Sequence, residues 1–132
     1  MAEHNLLGQW GEAYAARYLQ EKGFQILERN YRMGKAEVDL IVQKTPGVLV
    51  VVEVKTRTGQ AFGLPQTFVT RSKIKMMIKA AHAYVRRLGV PELEVRFDIV
   101  AIVKNGPQVK IEHLEDAFYA FWTEMICNVL LP

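Results

Sequence analysis

Three side chains suited to handling a phosphate and a divalent cation fall on one short stretch of this sequence. They are Asp39, Glu53 and Lys55, within Ala36 to Arg57 (AEVDLIVQKTPGVLVVVEVKTR). The stretch reads as two strands around a turn. Ala36 to Val42 alternates, with Ala36, Val38, Leu40 and Val42 on one face and Glu37 and Asp39 on the other. Val48 to Thr56 is so rich in valine that both faces look buried, yet Glu53 and Lys55 interrupt one of them. Lys44-Thr45-Pro46-Gly47 supplies turn chemistry, so the two strands form an antiparallel hairpin. A turn centred on Pro46 sets opposite each other residues whose numbers add to 92, so Asp39 faces Glu53 and Glu37 faces Lys55. Two opposed carboxylates on an apolar hairpin repel unless a cation or a proton lies between them. Such a pair suits Mg²⁺ or Mn²⁺, hard ions that keep several waters and accept phosphate oxygens as further ligands. A lysine beside them complements the charge of a reacting phosphate. The structural alternative, ordinary strand residues on a solvated face, fits a lone acid better than this D-x13-E-x-K set.

These residues need elements to hold them. The chain of 132 residues is long enough for one domain with a real core, and its 50% hydrophobic and 23% charged content is ordinary for a globular protein. No run reaches the length of a membrane span, and the N-terminus lacks a basic-then-apolar signal pattern, which makes cytoplasmic residence the expectation. The single cysteine, Cys127, excludes an internal disulfide framework and a cysteine-based zinc site.

The net charge of +3 is unevenly spread. Between Glu53 and Glu92 there is no acid, while Lys55, Arg57, Arg71, Lys73, Lys75, Lys79, Arg86 and Arg87 supply eight bases. A basic band beside an acidic hairpin suits a polyanion such as nucleic acid. A solvated helix face explains the band equally well when it is taken alone.

The spacing predicts a first helix over Asn5 to Lys22, with Leu6, Leu7, Trp10, Ala13, Tyr14 and Tyr18 as its apolar face and Glu12 on a small-residue flank with Gly8, Ala16 and Leu19. Phe24 to Glu28 reads as a short strand, and Arg29 to Lys35 as a polar, basic approach to the hairpin. Thr58 to Pro65 reads as a loop. Thr70 is an N-cap for a second helix that ends at Gly89, with Ile74, Met77, Ile78, Ala81, Val85 and Leu88 as its core stripe. The loop before that helix brings Lys73, in its first turn, back to the hairpin. Strands follow around Val95 to Val103 and Val109 to Ile111, joined by Asn105-Gly106-Pro107. Asp98 is read as a salt-bridge or capping residue, with a third acidic ligand as the alternative. Leu114 to Leu131 is apolar at helical spacing, a segment that docks on the domain or on a second subunit. The predicted architecture is therefore an α/β sandwich with a mixed sheet flanked by helices. Residues 1–118 form the domain and 119–132 a C-terminal helical extension.

D-x13-E-V-K resembles the PD-(D/E)xK nuclease motif, and an early helical Glu before it is similar to the archaeal Holliday-junction resolvases of that superfamily. The chain resembles most closely the UPF0102 (YraN-like) family. The resemblance is carried by Gly11-Glu12-Ala13, Asn30-Tyr31-Arg32, Glu37-Val38-Asp39-Leu40-Ile41, Val52-Glu53-Val54-Lys55-Thr56-Arg57, Phe62-Gly63-Leu64-Pro65, Lys73 and Arg96-Phe97-Asp98. It covers roughly Leu6 to Phe118. Ala36 departs from the family pattern, which has Gly before the Glu-x-Asp segment, and leaves the acids intact.

The resemblance implies a restriction-endonuclease-like fold and a metal-dependent nuclease acting on DNA, branched DNA included. Asp39 and Glu53 would then hold Mg²⁺ or Mn²⁺ with the backbone carbonyl of Val54, and Lys55 would serve the reacting phosphate. Glu12 would be an outer ligand, with Glu37 and Gln66 as secondary candidates. Arg32, Arg57, Lys73, Lys75 and Lys79 would grip flanking phosphates. Two-fold symmetry would suit a junction resolvase, so a homodimer is compatible with this reading. The alternative of another class is a nucleic-acid-binding module without catalysis that acts with a partner protein.

Overall fold

The computed structural model describes residues 2–59, 69–90 and 92–118. They form α1 (Ala2–Glu21), β1 (Gln25–Met33), β2 (Ala36–Gln43), β3 (Val48–Thr58), α2 (Arg71–Leu88), β4 (Glu94–Asn105) and β5 (Gln108–Leu114). The strands make one sheet in the order β1-β2-β3-β4-β5. Only β3 and β4 run parallel, because α2 carries the chain back across the sheet between them; the other neighbours are antiparallel. This mixed sheet with a helix on each face is the predicted α/β architecture, consistent with a restriction-endonuclease-like fold.

The central strand shows why both faces of Val48 to Thr56 had to be apolar. Leu49 and Val51 join the core under α2 with Ile74, Met77 and Phe97, while Val50 and Val52 join the core under α1 with Ala15, Ala16 and Leu19. α2 has the expected ends. Thr70 accepts from the Lys73 N–H at 3.1 Å, and Gly89 closes the helix at φ 65 with its N–H on the Val85 carbonyl. The predicted loop over Thr58 to Pro65, the candidate Gln66 and the extension 119–132 fall wholly or partly outside the described residues.

Three expectations are corrected. β1 continues to Met33, so the segment read as a polar approach is strand. α1 buries its small-residue flank: Gly11, Ala15, Ala16 and Leu19 face the sheet, whereas Leu6 is 65% exposed and Ala13 is exposed. The reason is the closeness of approach. A Cβ built at Gly11 would collide with the side chain of Thr56 on β3, so only glycine lets the helix sit there, and the large rings of Trp10, Tyr14 and Tyr18 lie along the border instead. β2 does not keep one apolar face. Ala36 and Val38 pack under α2, but Leu40 and Val42 pack under α1. The change of face falls at Asp39, where the pairs Arg29–Leu40 and Tyr31–Val38 bracket Asn30, a residue at φ 52; the β1–β2 register holds across this point and shifts only between Ile26 and Glu28. The left-handed backbone of Asn30 interrupts the regular pleat of β1, and β2 changes face at the position beside it.

Candidate active site

The change of face in β2 determines where Asp39 points. The β2–β3 ladder holds Leu40–Val52, Ile41–Val51 and Val42–Val50, the register read from the turn, and these pairs stop just short of Asp39 and Glu53. There the Val54 N–H is taken by the Asp39 carboxylate, at 2.8 Å to Oδ2. Asp39 therefore occupies a gap between two strands and is reached from both faces of the sheet. Glu53 and its hydrogen bond come from the α2 side, and Glu12 comes from α1 on the other.

Glu53 is 2% exposed, and its Oε2 has no hydrogen-bond partner among the described residues. The Lys73 ammonium lies 3.4 Å from that oxygen. Burial pushes the Glu53 carboxyl up to about 9; the hydrogen bond shared with Asp39 and its negative charge push the same way, against Lys73 and Lys55. The two lysines fall short of the burial, so at neutral pH Glu53 is held as a neutral acid and its contact with Lys73 is ion–dipole rather than a full ion pair. Burial likewise raises Glu12 to about 7, assisted by the charge of Asp39 and a hydrogen bond with it, and by the charge of Glu37. A hydrogen bond from Asn30 opposes the rise. Three acids in a row thus share too few cations, and protons make up the shortfall.

The structure brings together Glu12, Asp39, Glu53, the Val54 backbone, Lys55 and Lys73. Other candidates lie elsewhere. Glu37 stands opposite Arg32 on β1 and pairs with it at 3.3 Å, so the facing of Glu37 and Lys55 expected from the turn is replaced by this cross-strand pair. Arg32, 74% exposed, is tied up at the edge of the sheet, and Arg57, Lys75 and Lys79 are exposed. Asp98 is fully buried and takes no part in the site. It accepts from Arg96 through Nε and Nη2, both at 2.9 Å, and from the Asp116 N–H at 2.9 Å, with His113 Nε2 at 2.7 Å. Burial works against its ionisation, and these partners outweigh burial and hold its carboxyl below the usual range. Among the described residues no group of three or more His, Cys, Asp or Glu side chains has the makings of a metal site, so the protein's own donors at the gap are fewer than a closed cage requires.

Sequence reasoning missed Asn30 as a site residue. The signal lay in its type, since asparagine is among the few residues that tolerate a left-handed backbone. It also missed why Gly11 stands directly before Glu12: the glycine lets α1 approach β3 closely enough for the next side chain to reach Asp39.

A family model described as "Uncharacterised protein family UPF0102" matches residues 11–102. The chain belongs to the UPF0102 family. The match opens at Gly11 and contains Glu12, Asn30, Asp39, Glu53, Lys55 and Lys73. The chain is 51% identical over 121 residues to "UPF0102 protein FP2501" of Flavobacterium psychrophilum and 54% identical over 124 residues to a UPF0102 protein of Flavobacterium johnsoniae, covering 92% of this chain and 100% of each relative. A UPF0102 protein of Phocaeicola vulgatus is 45% identical over 119 residues, 90% of this chain and 97% of the relative. No helix among the described residues is long and apolar enough to cross a membrane.

Proposed function

We propose that the protein is a metal-dependent nuclease that hydrolyses phosphodiester bonds in DNA. The observation that carries the reading is the buried Glu53 carboxyl beside Asp39, whose Oε2 takes no hydrogen bond among the described residues and has only the Lys73 ammonium, at 3.4 Å. A buried carboxyl oxygen without a hydrogen bond in a valine-rich strand costs stability in the free protein, and a divalent cation is the partner that would relieve it and displace the proton. The donor set fits Mg²⁺ or Mn²⁺, because such ions use one or two carboxylates and leave the remaining positions to water and substrate phosphate. Asp39 and Glu53 would hold the ion, with the Val54 carbonyl as an added donor and Glu12 as an outer ligand.

When bound, the ion would lower the pKa of a water and polarise the scissile phosphate. The side chains of this protein do the rest. Lys55, on the same face of β3 as Glu53, would stabilise the charge that develops on the phosphate. The Val54 N–H fixes one oxygen of Asp39 and so orients the carboxylate. Lys73 would be released from Glu53 as the carboxyl gains the ion, and its ammonium would be available to the substrate. Arg57, Lys75 and Lys79 would contact flanking phosphates without reading sequence.

The test is calorimetric titration with Mn²⁺ and Mg²⁺ of the wild type and of Asp39→Asn with Glu53→Gln, followed by incubation of both proteins with labelled four-way junction, duplex and single-stranded DNA. Binding and cleavage that disappear together in the double variant support the nuclease. Folded wild type that binds no metal, yet binds DNA in a salt-sensitive way, overturns it in favour of a non-catalytic nucleic-acid-binding module.

A further inference from the structure

Among the described residues Glu53 has one cation within ion-pairing distance, the Lys73 ammonium at 3.4 Å from Oε2. The two side chains are unequally covered, with 33% of Lys73 and 3% of Glu53 open to solvent. The ammonium therefore sits on the solvent side of the carboxyl. Its backbone is anchored: the Lys73 N–H donates to the Thr70 side chain at 3.1 Å, and Ile74, the next residue, is buried in the core under α2. Only the four-carbon stem and its charge are left to move.

Where that charge goes on leaving Glu53 is decided by the groups around it. α2 contains no Asp or Glu, so the helix offers the ammonium no second carboxylate. Lys55, on the same face of β3 as Glu53, acts on the same carboxyl with a second positive charge, and Lys75 and Lys79 stand exposed on α2. These cations repel the Lys73 ammonium and attract a polyanion. A phosphate drawn in by them would receive it.

Lys73 and a divalent ion compete for Glu53, because two cations on one carboxyl oxygen repel, and strongly so where water is excluded. We propose that Lys73 is a gate that couples the metal to the substrate: its ammonium closes Glu53 in the free protein, and a DNA phosphate opens the site by drawing the ammonium away. The inference rests on the nuclease reading and adds an order of events to it. By linkage, DNA raises the affinity for the ion and the ion raises the affinity for DNA by the same factor. Without DNA the carboxyl pair holds metal weakly, which keeps the hydrolytic centre idle until a phosphate is in place.

The test measures that factor. Mn²⁺ affinity is determined by calorimetry, and by electron paramagnetic resonance of the free ion, for wild type, Lys73→Met, Lys73→Arg and Lys110→Met. Each is measured with and without a four-way junction whose linkages are phosphorothioates, which keep the charge and resist hydrolysis; gels confirm that the junction stays intact and circular dichroism that the variants are folded. Lys73→Met should bind Mn²⁺ at least about ten-fold more tightly than wild type in the absence of DNA, and the factor by which the junction raises Mn²⁺ affinity should shrink by a similar amount. Lys73→Arg, which keeps a cation on Glu53, should retain the wild-type coupling. Lys110→Met removes the same net charge from an exposed position on β5 and should leave Mn²⁺ affinity within about two-fold of wild type. Mn²⁺ binding that is equal in wild type and Lys73→Met, or a coupling factor that Lys73→Met leaves unchanged, would overturn the gate and leave the nuclease reading standing. No Mn²⁺ binding by any of the folded proteins, with or without the junction, would overturn both.

Discussion

Glu53→Gln should flatten the pH dependence of stability of the metal-free protein and make it more stable than wild type at alkaline pH. A carboxyl whose pKa is raised on folding holds its proton more tightly in the native state. It contributes stability that is complete below the unfolded value, near 4.5, and that is lost as pH rises through the folded value, near 9 for Glu53. Between pH 6 and 8 the unfolded chain has released this proton and the native chain has kept it, so each pH unit removes about 1.4 kcal/mol. Over those two units the loss is about 2.5 kcal/mol. With a urea m value of roughly 1–3 kcal/mol/M, the midpoint falls by about 1–2.5 M. Glu12, raised to about 7, adds to the fall in the lower half of the window. Glutamine keeps a neutral group that can donate to Asp39 and has no proton to lose, so the variant retains only the Glu12 contribution. Urea unfolding in EDTA at pH 6, 7 and 8, monitored by tryptophan fluorescence and far-UV circular dichroism, measures both slopes. Parallel pH profiles for wild type and variant, or a wild type whose stability does not fall between pH 6 and 8, would refute the assignment of a buried neutral acid at position 53.

Gly11→Ala should cost about 1–3 kcal/mol, because the new methyl meets the Thr56 side chain, and Thr56→Ala in the same chain should recover part of the loss in urea titrations. Asp98→Ala should be among the most damaging single substitutions, about 3–5 kcal/mol, since it strands Arg96 and His113 without their buried acceptor; thermal denaturation against Asp98→Asn would show it. Asn30→Gly keeps the left-handed backbone and should leave stability within about 0.5 kcal/mol, whereas Asn30→Val should lose about 1–2 kcal/mol. Both should raise the pKa of Glu12, followed by carboxyl NMR titration, because the Asn30 hydrogen bond that lowers it is gone.

Much of this was legible in the sequence, and the failures share a cause. The order of elements, the caps of α2, the hairpin register and the nearness of Asp39 to Glu53 follow from short-range signals: Thr70 and Gly89 at the helix ends, a turn at Pro46, valines on both faces of β3. Asp98 too was read correctly as a salt-bridge residue. What periodicity could not reveal were places where long-range contact changes the local rule. The rings of Trp10, Tyr14 and Tyr18 outweigh Gly11, Ala15 and Ala16 in any hydrophobic count, yet the sheet chose the small residues because they permit close packing. Alternation along β2 assumes an unbroken pleat, and the left-handed Asn30 beside Asp39 belongs to the neighbouring strand, so no residue of β2 announces the change of face. The protonation of Glu53 depends on burial and on Lys73, which arrives from α2.

The parallel pairing of β3 with β4 sets an order of assembly. β1, β2 and β3 form a meander of near neighbours, whereas Val51 meets Phe97 only after the chain has closed a long loop through α2. We expect the hairpin, with Asp39 and Glu53 already close, to form in the transition state, and the β3–β4 ladder, with the α2 crossover, to lock afterwards. Substitutions at Val42 and Val50 should then slow folding, and substitutions at Phe97 and Val100 should chiefly speed unfolding. Two carboxyls are brought together before the helix that carries their lysine is in place, so early folding should be faster at mildly acidic pH, where protons already quench their repulsion.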